Sequence, residues 1–355
     1  MKQKEIAIVL IRFCVLSLIM MSMTGCWYIE QAWGYFHDRL SAIPLDEYLK
    51  QNSTDGELQT LSVIMDRVRR FAVEKFNLTL TKNYTKIVPA AKEYVATVVS
   101  ACKEDSFTRY YWNYPLVGAM PYRGFYNKDK AKQEADRLKA QGYDVFIRNV
   151  EAFSSLGYFS DPLYTFMKHY SEDEIAELIF HESAHATLFI KGASQFNEEF
   201  ATFIGQTATQ IYLETLYGKN SSLIQKRMEQ EHDHKLFIQF LQETARQLEI
   251  IYNNTTLTKA EKIAAKQKII AERAIEYETA FAQEFVNPNY KKFNMQNINN
   301  AYIDLYRLYE SDLSLYEQWF TKKSNSDIAT FIADMKKLAK LYQSNIKEAM
   351  KKELQ

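Results

Sequence analysis

The sequence predicts a mainly α-helical protein with a small β part. Three observations carry this. Only 10 Gly and 6 Pro occur in 355 residues, so chain-breakers are scarce. After Gly205 the remaining 150 residues hold only Gly218 and Pro288 as breakers, which predicts a long all-helical block. Aromatic residues, β-formers and breakers gather instead between about 105 and 150. The composition is 47% hydrophobic and 14% aromatic, which excludes a disordered chain. Forty-four bases balance 44 acids, so no basic excess argues for a nucleic-acid partner, and none is expected.

At the N-terminus, Lys2, Lys4 and Arg12 lead into an apolar run of eleven residues, Phe13 to Met23. A membrane span needs about 20 residues, whereas this length suits the core of a secretory signal. Met23-Thr24-Gly25-Cys26 closes the run and resembles the bacterial lipobox, whose Cys becomes the lipidated first residue. The resemblance implies loss of residues 1–25, a lipid on Cys26, and a protein held outside the cytoplasm at a bacterial membrane. Trp27, not an acid, follows Cys26; in a diderm host that fits the outer membrane, facing the periplasm. Three bases and one acid precede Cys26, leaving 41 bases and 43 acids, so anchoring rests on lipid and not on a polybasic patch. Cys14 leaves with the signal and Cys26 is modified, so Cys102 stands alone and no internal disulfide is possible.

Residues 26–56 read as a membrane-proximal connector with an amphipathic stretch. From Glu57 to about Ser100 the sequence reads helical, with a break at Pro89. Residues 105–127 predict loops and short strands, because Tyr, Trp, Pro and Gly crowd there. Lys128 to Ala140 is a charged helix that Gly142 can cap. Tyr143 to Val150 carries Val145, Phe146, Ile147 and Val150 and predicts a strand. This strand is either an ordinary core strand or an edge that pairs with an extended peptide, and the two are compatible. Gly157 to Pro162 predicts a loop. Ser171 with Glu174 three residues on forms a capping box, opening a helix that runs to about Ile190 and stops at Gly192. A further helix starts near Asn197.

The chemistry lies in His181-Glu182-Ser183-Ala184-His185, an HExxH string in a chain with six histidines. In a helix, positions four apart share a face, so two imidazoles can hold one metal ion. Zinc suits such nitrogen and carboxylate ligands, one ion per chain. Glu182 beside the first ligand can take a proton from an activated water. The helix is apolar at Ile175, Leu178, Ile179, Leu188 and Phe189, which predicts burial and a rigid site. A catalytic zinc needs a third protein ligand, and Phe196-Asn197-Glu198-Glu199-Phe200-Ala201 offers Glu198 on a second, antiparallel helix. Glu199 is the rival. One helical step is about 100°, so only one of the pair can point at the metal.

HExxH followed by Asn-Glu-x-x-Ala resembles the gluzincin, thermolysin-like peptidases. The lipobox, Pro121-Tyr122-Arg123-Gly124-Phe125, Ala152 to Pro162, Phe180 to His185 and Phe196 to Ala201 occur in one order. That series is similar to a bacterial family described as "putative zinc aminopeptidases" with a lipoprotein signal. Asn299-Asn300-Ala301 also matches it, less specifically. The resemblance implies a gluzincin-like core: the HExxH helix, the antiparallel Glu helix and a short edge strand, with a helical region after them. It implies His181, His185 and Glu198 as zinc ligands, Glu182 as general base, and Asn197 orienting the ligand helix. It favours Glu198 over Glu199; Glu199 is then expected to face solvent, the alternative being that it helps bind a substrate's amino terminus. The clan usually stabilises the oxyanion with a Tyr or His; Tyr158 and Tyr306 are the candidates, and the sequence does not choose between them. The spacing from His185 to Glu198 is shorter than in large aminopeptidases of the clan, so the turn between the helices must be tight.

The expected organisation is a signal at 1–25, the connector, a metallopeptidase core at 57–205, and a helical C-terminal region at 206–355 packing on it. The expected activity is zinc-dependent hydrolysis of a peptide substrate, as an aminopeptidase. The same ligands serve endopeptidases and non-peptide hydrolases, and a non-catalytic peptide-binding lipoprotein would keep the fold. Tyr122-Arg123-Gly124 is either a structural turn or a substrate-facing segment. His232, Asp233 and His234 read as surface, and His37 and His169 have no evident partner.

Overall fold

A computed structural model describes residues 26–114, 118–151, 161–307 and 313–355. Tyr158, most of the Ala152–Pro162 segment and residues 1–25 lie outside the described residues. The fold is mainly helical with small sheets, as the scarcity of breakers predicts.

Helix α1 (Cys26–Ser41) occupies the expected connector and is docked on the body. Trp27 donates from its indole N–H to the Gly124 carbonyl at 3.0 Å. The Arg123 guanidinium lies 4.1 Å over the Trp27 ring and 3.6 Å from Glu134. Tyr122-Arg123-Gly124 therefore has a structural role in seating α1. Gly34 permits close approach, since a Cβ there would stand 2.5 Å from the Tyr126 ring. Strand β1 (Ile43–Pro44) and helix α2 (Leu45–Gln51) follow.

Helix α3 (Gly56–Phe76) begins at Asp55, whose carboxylate accepts from the Leu58 N–H. It buries Leu58, Leu61, Met65, Val68, Ala72 and Phe76, a stripe at helical spacing. Here the expectation of helix from Glu57 to about Ser100 is corrected. Asn77 takes a left-handed conformation, φ 53°, and closes the helix. The chain then forms β2 (Lys86–Val88) and β3 (Ala96–Lys103). Thr97, Val98 and Val99 are β-branched and buried, and they suit a strand covered on both faces.

Short strands β4 (Trp112–Tyr114), β5 (Gly118–Met120) and β6 (Tyr122–Phe125) fill the expected region. Helix α4 (Lys128–Ala140) and strand β7 (Tyr143–Val150) follow as expected. β3 lies between β6 and β7, antiparallel to both, with Val99 opposite Arg123 and Ile147. β7 is an edge strand among the described residues. α4 covers one face through Ala131, Ala135 and Leu138, against Val99, Ala101 and Phe125. A second small sheet joins β1, β2 and β8 (Leu163–Tyr164).

The HExxH helix is α5 (Glu172–Thr187), and α6 (Ser194–Tyr217) follows after a tight turn. Position 205 lies inside α6. Helices α7 (Ser222–Tyr252), α8 (Lys259–Thr279), α9 (Pro288–Lys291) and α10 (Asn300–Arg307) come next. α7, α8 and α10 share an aromatic core that includes Phe237, Phe240, Tyr277 and Ile303. Asn300 ties this unit to the β3–β7 sheet, donating to the Lys103 carbonyl at 2.8 Å, and Asn299 donates to the Val145 carbonyl at 3.0 Å. Asp233 is buried, not on the surface as expected. Its carboxylate accepts the backbone N–H groups of Val286 and Asn287, which removes the cost of burying it. His232 and His234 are exposed.

The chain then returns. Helices α11 (Ser314–Lys322), α12 (Ile328–Tyr342) and α13 (Ile346–Leu354) join α3, α5 and α6 in one core. Phe331 lies against Phe200 and Phe203, and Phe180 against Phe76 and Tyr212.

α5 and α6 touch closely at Gly205, where a Cβ would stand 3.3 Å from both the Glu177 carbonyl oxygen and the His181 Cβ. Backbone cannot yield there as a flexible side chain can. Gly205→Val is expected to lower stability by roughly 1–3 kcal/mol, the usual cost of overpacking. Urea unfolding checks it, as a lower midpoint at unchanged slope.

Candidate metal centre

Local sequence fixes α5 before any metal is considered. The Glu174 carboxylate accepts the Ser171 N–H at 2.8 Å, closing the capping box. Ile175, Ala176, Ile179, Phe180, Ser183 and Ala184 turn inward. His181, Glu182 and His185 take the other side and are only partly exposed. The helix ends at Thr187, a little before the expected Ile190, and the Leu188 N–H still bonds to Ala184.

α6 runs antiparallel to α5: Glu198 meets His181 and His185, Gly205 meets Glu177 and His181, and Tyr212 meets Glu172. Its first turn has no side-chain cap. Two buried side chains hold it instead. Asn197 accepts from the Ile190 N–H and donates to the Ile190 carbonyl, both at 2.9 Å, clamping the turn between the helices. Glu199 is 3% exposed, which corrects the expectation that it faces solvent. Its carboxylate accepts from Lys347 at 2.7 Å, Tyr316 at 2.9 Å and Gln195 at 2.8 Å. Between these anchors Glu198 projects outward with its side chain 62% exposed.

The Nε2 atoms of His181 and His185 are 3.1 Å apart. Glu198 oxygens lie 3.9 Å from His181 Nε2 and 3.7 Å from His185 Nε2. The three ligand atoms all fall within 4.8 Å of one another. Bonds of about 2.0–2.1 Å in a tetrahedral zinc site put donor atoms roughly 3.3 Å apart, so the set fits zinc with small adjustments of Glu198. Burial, then the neighbouring His185, pushes His181 down to about 4, and burial also lowers His185. Neutral imidazoles are the form a metal needs. His185 Nδ1 is buried without a hydrogen-bond partner among the described residues.

Glu182 is pushed up to about 7, by burial first and then by the negative charges of Asp161 and Glu198. Asn83, buried, donates to its Oε2 at 3.4 Å and accepts the Asp161 N–H at 3.1 Å. Tyr84 donates its backbone N–H to the Asp161 carbonyl at 2.7 Å and sits at φ 61°, a left-handed conformation that costs a non-glycine residue about 1 kcal/mol or more. Burial, then the charges of Glu182 and Asp161, holds its phenol well above its ordinary range. Sequence reasoning missed Asn83 and Tyr84 because residues 57–100 read as helix. The signal available was the turn-forming Asn77 and Thr81-Lys82-Asn83.

His181, His185, Glu182 and Glu198 are thus brought together. Tyr306 is not among them: it packs against Tyr302 and Phe237, ring centroids 5.1 and 5.9 Å away, in the core of α7, α8 and α10. His37 lies 3.8 Å from Asp38, and His169 lies 3.4 Å from Glu57.

The two adjacent glutamates give a discriminating test. Glu198→Ala is expected to lose most bound zinc while metal-free stability stays within about 0.5 kcal/mol, as for exposed positions. Glu199→Ala is expected to lower stability by roughly 2–3 kcal/mol, because Lys347 and Tyr316 lose their acceptor. Zinc analysis after gel filtration, with urea unfolding, checks both. The opposite pattern would make Glu199 the ligand.

No curated protein and no solved structure was found to match the chain. Residues 26–350 match the family described as "Putative aminopeptidase", and the chain belongs to that family.

Proposed function

We propose that this protein is a zinc-dependent aminopeptidase that hydrolyses peptide bonds, with Glu182 as general base. The observation that carries the reading is the convergence of His181, His185 and Glu198 beside Glu182. A zinc ion held by those three side chains would polarise the scissile carbonyl and acidify water. Glu182 accepts the proton of the attacking water at its carboxylate and delivers it to the nitrogen of the departing amine. Asn83 holds Oε2, and Oε1 makes no hydrogen bond among the described residues, so one oxygen is fixed and the other is open to the water. Asn197 and Glu199 position the helix turn that carries Glu198. The edge position of β7 supports binding of an extended peptide by strand addition. Family membership favours trimming from a free amino terminus over internal cleavage. A gluzincin-like core, a lipid on Cys26 and a location outside the cytoplasm belong to the same proposal, supported by the HExxH and Asn-Glu spacing and by the run ending at Cys26.

Glu182→Gln is expected to keep zinc and lose about 10²–10⁴-fold in turnover, the usual worth of a general base. Matched peptides with free and acetylated amino termini, followed by mass spectrometry, give the readout. Stepwise trimming of the free peptides alone is expected. Cleavage of both would make the protein an endopeptidase, and wild-type turnover in the variant would remove Glu182 from the mechanism.

A further inference from the structure

Helix α1 has two opposite faces. One is seated on the body: Trp27 on Gly124, Glu30 on Lys130, Gln31 on the Tyr126 N–H, Gly34 against the Tyr126 ring and Asp38 on the Tyr164 hydroxyl. At 100° per residue positions 27, 30, 31, 34 and 38 fall on one helical face. The other face carries Trp33 at 70% exposed, Phe36 at 55% and Leu40 at 85%. At 100° per residue this second stripe lies about opposite the first.

Positions 26, 33 and 40 are seven apart, and such a repeat drifts only about 20° per step. Cys26 stands two such steps before Leu40 in the sequence. The apolar run Phe13 to Met23 ends just before it. From Cys26 to Leu40 the helix is roughly 21 Å long at 1.5 Å per residue. Among the described residues no helix is long and apolar enough to cross a membrane. A helix lying along a bilayer with Trp and Leu turned down buries them about 5–10 Å deep, and Trp favours that depth.

We propose that the Trp33–Leu40 face of α1 docks on the surface of a phospholipid bilayer, with the helix axis along the membrane. The inference rests on the lipid-anchor reading of Cys26, since the anchor brings this stripe to the membrane. Trp33 enters the headgroup boundary, and the docked face of α1 keeps the body on the water side.

The test uses the full chain purified from bacterial membranes, in vesicles of phosphatidylethanolamine and phosphatidylglycerol with and without bromine-labelled acyl chains. Trp112 and Trp319 are buried, so Trp33 is the tryptophan most open to lipid. Brominated lipid is expected to quench part of the wild-type emission, and Trp33→Phe is expected to lose most of that quenching. A spin label at Leu40→Cys is expected to be more accessible to oxygen than to a water-soluble nickel complex. Equal quenching of wild type and Trp33→Phe, with a nickel-accessible label, overturns the proposal. So does a dimer that Leu40→Ser converts to monomer, which would give the face to a second copy. Intact mass separates the two readings. Acylated protein with unquenched Trp33 overturns docking and keeps the anchor; unacylated protein with quenched Trp33 keeps docking and overturns the anchor; unacylated and unquenched protein overturns both.

Discussion

Where α5 lies against α6, Gly205 lets the two backbones approach until a single added methyl would meet the Glu177 carbonyl oxygen. That contact sets the distance between the helix carrying both histidines and the helix carrying Glu198. A few tenths of an ångström would matter to a zinc ion held there, which tolerates donor distances within about 0.2 Å. The same contact lies against the Cβ of His181, and burial keeps both imidazoles neutral and able to offer lone pairs. The separation of the three candidate ligand side chains, the protonation of the imidazoles and the helix packing therefore depend on one approach distance.

The approach fixes separation but not rotation. A turn of α6 by one residue would exchange Glu198 for Glu199 at the histidines. Asn197 and Glu199 prevent this from either side, and each is buried with its polar atoms paired. Glu199 draws Tyr316 and Lys347 from α11 and α13, so the last helices of the chain set the phase of a turn about 120–150 residues earlier. A buried carboxylate without Lys347 would cost several kcal/mol, and would also stand one residue from the candidate ligand Glu198 as a competing acid. The C-terminal helices thus cover the core and also hold Glu199 away from the two histidines.

The helical class, the α4–β7 unit, the HExxH helix with its capping box and the all-helical end were legible, because each depends on local propensity and spacing. The stretch from Asn77 to Lys103 was not. Its apolar residues suit a helix or a buried strand equally, and only β6 and β7 on either side of β3 decide between them. Asp233 and Glu199 misled for one reason: a charged residue reads as exposed unless its partners are known. Those partners are distant in sequence, at 286–287 and at 316 and 347. Asn83 was hidden with the turn before β2, and Tyr306 satisfied an expectation of residue type but not of place.

The loop at Asn83 and Tyr84 also connects parts that sequence order keeps separate. Arg39 at the end of α1 pairs with Asp161 at 2.9 Å. Asp161 gives its N–H to Asn83 and its carbonyl to Tyr84, and Asn83 reaches Glu182. Each neutral link contributes about 1 kcal/mol net, and the 3.4 Å bond to Glu182 less. Such a series is too weak to determine stability, but it needs little energy to hold a carboxylate in one orientation. The left-handed backbone at Tyr84 survives only because its neighbours on both sides are tied down. Removing α1 from the body would free Arg39, loosen Asp161 and leave Asn83 with one fewer constraint. Helix α1 is therefore tied, through Arg39, Asp161 and Asn83, to the orientation of the Glu182 carboxylate.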